Sequence, residues 1–144
     1  MELITESIVH HSACDAMGHL SSKFYFELYE DASHALMQAV FGWNRSVAAR
    51  QSKGWANLRQ EVSYFKELRP DDQLEIYGEI IVAKKSLVKS EFEIREALTQ
   101  SVSSSLKMIS CYFDLRERKR ISISPEMFRR LKDYQKLSSG NALS

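Results

Sequence analysis

Midway along this chain the hydrophobic period changes from that of a helix to that of strands, and this change restricts its fold more than any other feature. From Phe24 to Phe41 the residues Phe24, Leu28, Ala32, Ala35, Leu36, Ala39 and Val40 recur at three- and four-residue steps. That spacing predicts one buried face of a long helix. Ser21 or Ser22 is placed to cap its start and Gly42 to end it. Glu27, Glu30 and Asp31 lie in its first half, the favourable side for anions near the positive dipole end. The alanines on the stripe let the helix approach a sheet closely. After residue 57 the period falls to two. Leu58, Val62 and Tyr64 alternate with Arg59, Glu61 and Ser63. Leu74, Ile76, Gly78, Ile80 and Val82 form a second alternating run, and Val88, Phe92 and Ile94 a third. A fourth run, Val102 to Leu115, is apolar on both faces, as a central or covered strand is.

The breaks between these runs carry turn chemistry. "RPDD" at 69–72 has Pro70 where a turn needs its fixed angle. "AKKS" at 83–86 and "RERKR" at 116–120 are the next breaks. Residues 3–11 read as a first strand and "WNRSVAARQSKG" as a polar loop or short helix. "SPEMFRRLKDY" starts a last helix, with Ser124 as cap and Pro125 in its first turn. The order is strand, long helix, then four strands joined by short connections. It predicts an α+β fold in which those four strands form an antiparallel meander against the helix.

The 144 residues fit one domain. We expect it over 1–137, with 138–144 as a flexible C-terminal tail. A net charge of +1 points neither to nucleic acid nor to a membrane surface as partner. The N-terminal stretch has no apolar core of a signal peptide, and no run reaches membrane-spanning length. The two cysteines, Cys14 and Cys111, make no disulfide framework or metal-ligand spacing, so a reducing, cytoplasmic setting is expected. His10 and His11 are adjacent, so strand geometry sends them to opposite faces, and no third ligand is evident. No metal site is expected.

The chemistry concentrates in "SACDAMGHLSSKFYF", residues 12–26. Asp15 precedes the helix, whose first backbone N–H groups are free donors at a positive dipole end. Such donors can hold a carbonyl oxygen that turns negative during attack. A carboxylate opposite them can attack the carbonyl carbon or activate a water. Gly18 lets the loop turn tightly. A carboxylate is a weak nucleophile, so the arrangement suits an ester with a good leaving group, such as a thiolate. Taken alone, an Asp in this place is more often a cap or turn former.

"DAMGHLSSKFY" resembles the opening motif of the 4-hydroxybenzoyl-CoA thioesterase family of hot-dog proteins. Asp15, Gly18, His19 and Tyr25 stand at the motif positions. "FELYEDAS", "VSYFKELRPDDQLEI" and "CYFDLRERKRISISPEMF" continue the likeness, which covers roughly residues 3–131. The resemblance implies a hot-dog fold, an antiparallel sheet wrapped around one long central helix. It implies an acyl-CoA thioesterase, with coenzyme A as part of the substrate and no separate cofactor. Asp15 would be nucleophile or general base, and the backbone N–H of Ser22 would polarise the thioester carbonyl. Gly18 and His19 would shape that site. Lys84 and Lys85, with Ser86, would meet the phosphates of coenzyme A. Met17, Tyr25, Trp55 and Asn57 are candidate pocket residues. The family's sites lie between subunits, so a homodimer or dimer of dimers is implied. Ser21 and Ser22 stand where many relatives carry asparagines. A non-catalytic acyl-CoA or acyl-carrier module and a hot-dog hydratase or dehydratase are the competing readings. The chain has only Pro70 and Pro125, neither near His19, which counts against the dehydratase.

Overall fold

The computed structural model describes residues 1–143, and side chains through residue 138. The chain opens with β1 (Glu2–Ile8) and a short 3-10 turn (His11–Ala13), then enters α1 (Ser22–Phe41). A short helix α2 (Arg45–Gln51) leads into β2 (Lys53–Tyr64), β3 (Gln73–Lys84), β4 (Leu87–Glu96) and β5 (Val102–Asp114). The two-residue β6 (Lys119–Arg120) pairs with β5, and α3 (Pro125–Leu143) follows. The tail expected over 138–144 falls, from residue 139 on, outside the described side chains.

The helical period does what its spacing demands. Tyr25, Tyr29, Ala32, Leu36, Met37 and Val40 are all buried along one face of α1. They pack on the inner residues of the strands, among them Leu74 and Ile76 of β3, Phe92 and Ile94 of β4, and Leu106 and Met108 of β5. The sheet curls around α1, the hot-dog arrangement of an α+β fold. Gly42 ends the helix at φ +69°, a left-handed conformation that favours glycine.

The strand order is β1-β3-β4-β5-β2, all neighbours antiparallel. This corrects the expected four-strand meander. Only β3, β4 and β5 form one. The connection from Tyr64 to Gln73 is not a hairpin, because β2 crosses the molecule to pair with β5. That pairing lets the sheet close over the C-terminal half of α1 as well as its start. It also leaves β2 with a partner on one side only. The register of β2 slips between Asn57 and Arg59, so Leu58 bulges and is exposed. β1 ends at Ile8, so His10 and His11 lie beyond it rather than on a strand as expected.

Both signs of charge occur at each end of α1. Its first half carries Glu27, Glu30 and Asp31 together with Lys23, and Glu67 beside the Asp15 loop pairs with Arg69. At its C-terminal end Lys53, Arg130 and Glu126 lie together, and Asp114 stands opposite Lys53 on the β2–β5 ladder. No described helix is long and apolar enough to cross a membrane.

Candidate functional site

The loop bearing Asp15 is held shut by its own backbone. Cys14 and Leu20 form an isolated antiparallel bridge. Inside it the Asp15 N–H donates to His19 O at 3.0 Å, and the Gly18 N–H donates to Asp15 O at 3.0 Å. Gly18 closes the loop at φ +84°, where a side chain would strain the backbone. The base of the loop is tied outward. The Ser21 N–H donates to Ala13 O at 3.1 Å, and the Leu20 N–H to Leu68 O at 2.7 Å. The second bond joins the loop to the connection that follows β2.

The carboxylate is oriented within this frame. Asp15 Oδ1 accepts the Met17 N–H at 2.9 Å. Asp15 Oδ2 lies 3.5 Å from His19 Nδ1, with the Asp15 side chain 36% exposed. His19 Nε2 lies 3.9 Å from Glu67 Oε1, and the other Glu67 oxygen lies 3.9 Å from Arg69 Nη2. His19 therefore stands between two carboxylates. Glu67 is a residue the sequence reading missed; the only signal was its place just before the "RPDD" turn.

Beside this loop α1 begins. Ser21 takes the cap position with extended backbone, but its side chain makes no capping hydrogen bond. Neither the Ser22 nor the Lys23 amide has a hydrogen-bond acceptor among the described residues. The positive end of α1 is thus open next to an oriented, solvent-accessible carboxylate.

Tyr25 and Met17 part company. Tyr25 is buried; its hydroxyl is 3.0 Å from Ser103 Oγ, which donates to Lys66 O at 2.6 Å. Its ring meets Tyr64 edge-on at 5.0 Å, and burial pushes its phenol pKa up. Within one chain it packs and ties α1 to the loop after β2. Met17 is 79% exposed.

The remaining candidates sit elsewhere. Trp55 stacks on Phe41 and Tyr112, with ring centroids 5.3 and 5.0 Å away. Its indole N–H is buried without a partner among the described residues. Asn57 is exposed, and its Oδ1 accepts the Ser110 hydroxyl at 3.0 Å. Lys84, Lys85 and Ser86 make the β3–β4 turn, with Lys85 at φ +57°. Ser86 O accepts the Tyr112 N–H at 2.8 Å, so this turn lies against the far end of β5. Tyr25 and Tyr29 bond to Ser103 and Ser104 at the start of β5, whereas Phe41 meets the Trp55–Tyr112 end. The 20 residues of α1 span about 30 Å. The structure therefore brings Asp15, Met17, Gly18, His19, Ser22 and Tyr25 together. It leaves Trp55, Asn57, Lys84, Lys85 and Ser86 at the opposite end of the same chain. No group of three or more His, Cys, Asp or Glu side chains gathers for a metal among the described residues.

Solved structures share this architecture. Protein SAV2348 from Staphylococcus aureus, solved in complex with CoA, superposes with a TM-score of 0.86 at 12% identity, over 94% of this chain and 85% of that one. The 1,4-dihydroxy-2-naphthoyl-CoA thioesterase Slr0204 from Synechocystis gives 0.80 at 14% identity, over 91% of this chain and 96% of that one. The DHNA-CoA thioesterase from S. aureus gives 0.81 at 14% identity, over 95% of this chain and 93% of that one. No curated protein matches the chain. Residues 9–131 match the thioesterase-like superfamily, and the chain belongs to that superfamily.

Proposed function

We propose that this protein hydrolyses acyl-CoA thioesters at Asp15. The observation that carries the reading is one juxtaposition. An oriented, partly exposed carboxylate adjoins the open amide end of α1, in a chain of a thioesterase-like superfamily. As general base, Asp15 takes a proton from water, and the hydroxide adds to the thioester carbonyl. As nucleophile, it adds to that carbonyl itself, and water then opens the resulting anhydride. In both routes the carbonyl oxygen becomes negative where the Ser22 amide can donate to it. The C–S bond then breaks and releases the thiolate of coenzyme A. Gly18 sets the loop, and His19 stands beside the second carboxylate oxygen.

The site is completed by a second copy. β2 has a free edge, and antiparallel addition of another β2 continues the sheet. That pairing sets the Trp55 end of one chain beside the Tyr64 end of the other. It carries one copy's Trp55, Asn57 and Lys84–Ser86 turn toward the Asp15 loop of its neighbour.

Thiol release from a panel of acyl-CoA esters tests the reading. Asp15→Asn is expected to lower kcat about 10²–10⁴-fold, with substrate binding retained. Equal activity in the variant removes Asp15 from the role. A wild-type protein that binds the esters without turnover is a binding module instead.

A further inference from the structure

We infer that Glu67 is a positioning residue for hydrolysis, acting on Asp15 through the imidazole of His19. This role rests on the hydrolase reading above for the chemistry at Asp15, and on the placement of Glu67 for the rest. Glu67 lies on the connection between β2 and β3, which is pinned on both sides of it. Before it, the Phe65 and Lys66 N–H groups donate to Ser103 O at 2.8 and 3.2 Å, and the Ser103 hydroxyl donates to Lys66 O at 2.6 Å. After it, Leu68 is buried, and its carbonyl accepts the Leu20 N–H at the base of the Asp15 loop at 2.7 Å. The carboxylate between these anchors reaches the far side of His19. Its Oε1 lies 3.9 Å from His19 Nε2, and its Oε2 lies 3.9 Å from Arg69 Nη2. The other two carboxylates of the connection are engaged elsewhere. Asp72 accepts the Arg69 N–H at 2.8 Å, and Asp71 lies 3.3 Å from His11 Nε2.

One hydrogen bond does not fix a carboxylate. Asp15 Oδ1 accepts the Met17 N–H, yet the group can still turn about its last side-chain bond. The second restraint is the His19 ring, whose Nδ1 lies 3.5 Å from Asp15 Oδ2. That ring restrains Asp15 only while its own orientation is set, and the partner of the other nitrogen sets it. Turning the ring over would put carbon atoms where both nitrogens stand, and both pairs would be lost. With Glu67 removed, only the Asp15 side selects the orientation. A ring with a carboxylate at each nitrogen satisfies both by carrying an N–H on each. The His19 side chain is 22% exposed, so this pairing is partly sheltered from water. Glu67 itself is 59% exposed, and an exposed pair is a weak one. The plain alternative is a surface pair between Glu67 and Arg69 with no bearing on turnover.

Thiol release and imidazole NMR together test the assignment. Glu67→Gln is expected to lower kcat about fivefold at unchanged KM, the worth of one partly exposed ion pair. His19→Asn is expected to cost at least as much. In the His19→Asn background, Glu67→Gln is expected to cost nothing further. Asp71→Asn removes a carboxylate from the same connection and is expected to turn over as wild type. The His19 ring resonances, identified among those of the four histidines by their loss in His19→Asn, are expected to shift in Glu67→Gln and to stay in place in Asp71→Asn. A change confined to KM, the full loss persisting in the His19→Asn background, or His19 resonances unmoved by Glu67→Gln each overturns the assignment. Shifted His19 resonances in a protein that hydrolyses no ester leave the Glu67–His19 pair standing and remove the hydrolase reading. Hydrolysis that Asp15→Asn abolishes and Glu67→Gln does not slow does the reverse.

Discussion

Tyr29 carries a phenol into the core, beside the buried serines of β5. It is 1% exposed, and its hydroxyl donates to Ser104 Oγ at 2.8 Å. Tyr29→Phe strands that serine inside the core. It is expected to cost about 1–2 kcal/mol, read as a lower urea midpoint at unchanged slope. Burial pushes the Tyr29 phenol pKa well above its ordinary value. Its contribution is therefore complete below about pH 10, where the unfolded phenol titrates, and is lost as the pH rises further. Tyr29→Phe should accordingly blunt the alkaline fall in stability. Asp114 works in the opposite direction. The Glu117 N–H, then the Arg116 N–H, donate to its carboxylate at 2.9 Å and hold its pKa below the ordinary range. The stability it adds is present above about pH 4 and disappears as the pH falls through the lower folded value. Asp114→Asn should flatten that part of the acid limb in thermal melts taken from pH 2 to 5. At this scale the sequence speaks where contacts are local. Asp15, Gly18 and His19 form one loop and share one short motif. Glu67 and the Tyr25–Ser103–Lys66 chain join residues far apart in sequence, and no local pattern marks them.

Among the elements, α1 is the best specified. Its apolar stripe, its alanines and Gly42 all point the same way, and the structure follows them. Gly42 can be tested directly, because its cost is one of backbone. A side chain at φ +69° is strained, whereas the Arg130 guanidinium that its Cβ would meet is the end of a flexible side chain and can swing aside. Gly42→Ala is expected to destabilise the fold by about 1–2 kcal/mol. Adding Arg130→Ala leaves the backbone strain, so a thermal melt of the double variant should show no recovery. The strands were equally legible one at a time, since period two needs only neighbouring residues. Their order was not. Short connections favour a meander, but the pairing of β2 with β5 is decided by what covers the C-terminal half of α1. Leu58 shows the same limit more finely: it fits the alternation of its run, yet a bulge between Asn57 and Arg59 turns it outward.

For the molecule as a whole, the free edge of β2 decides how two copies meet. Antiparallel β2-to-β2 pairing continues the sheet. Sedimentation velocity is therefore expected to show a dimer. A monomer at every salt and protein concentration would refute the shared site. The melting temperature should also rise with protein concentration, as it does whenever the native state is the one that associates.

The free side of β2 has a further consequence. Twelve residues of extended chain with unpaired amides on one side, and with Leu58, Tyr64 and Phe65 exposed nearby, are a template for any other extended peptide. A newly made chain without its companion carries that hazard until the edge is covered. Pairing would then guard the protein against fibrillar misassembly as well as complete its chemistry. Substitutions that weaken the pairing should first appear as insolubility during expression, before any change in turnover can be measured.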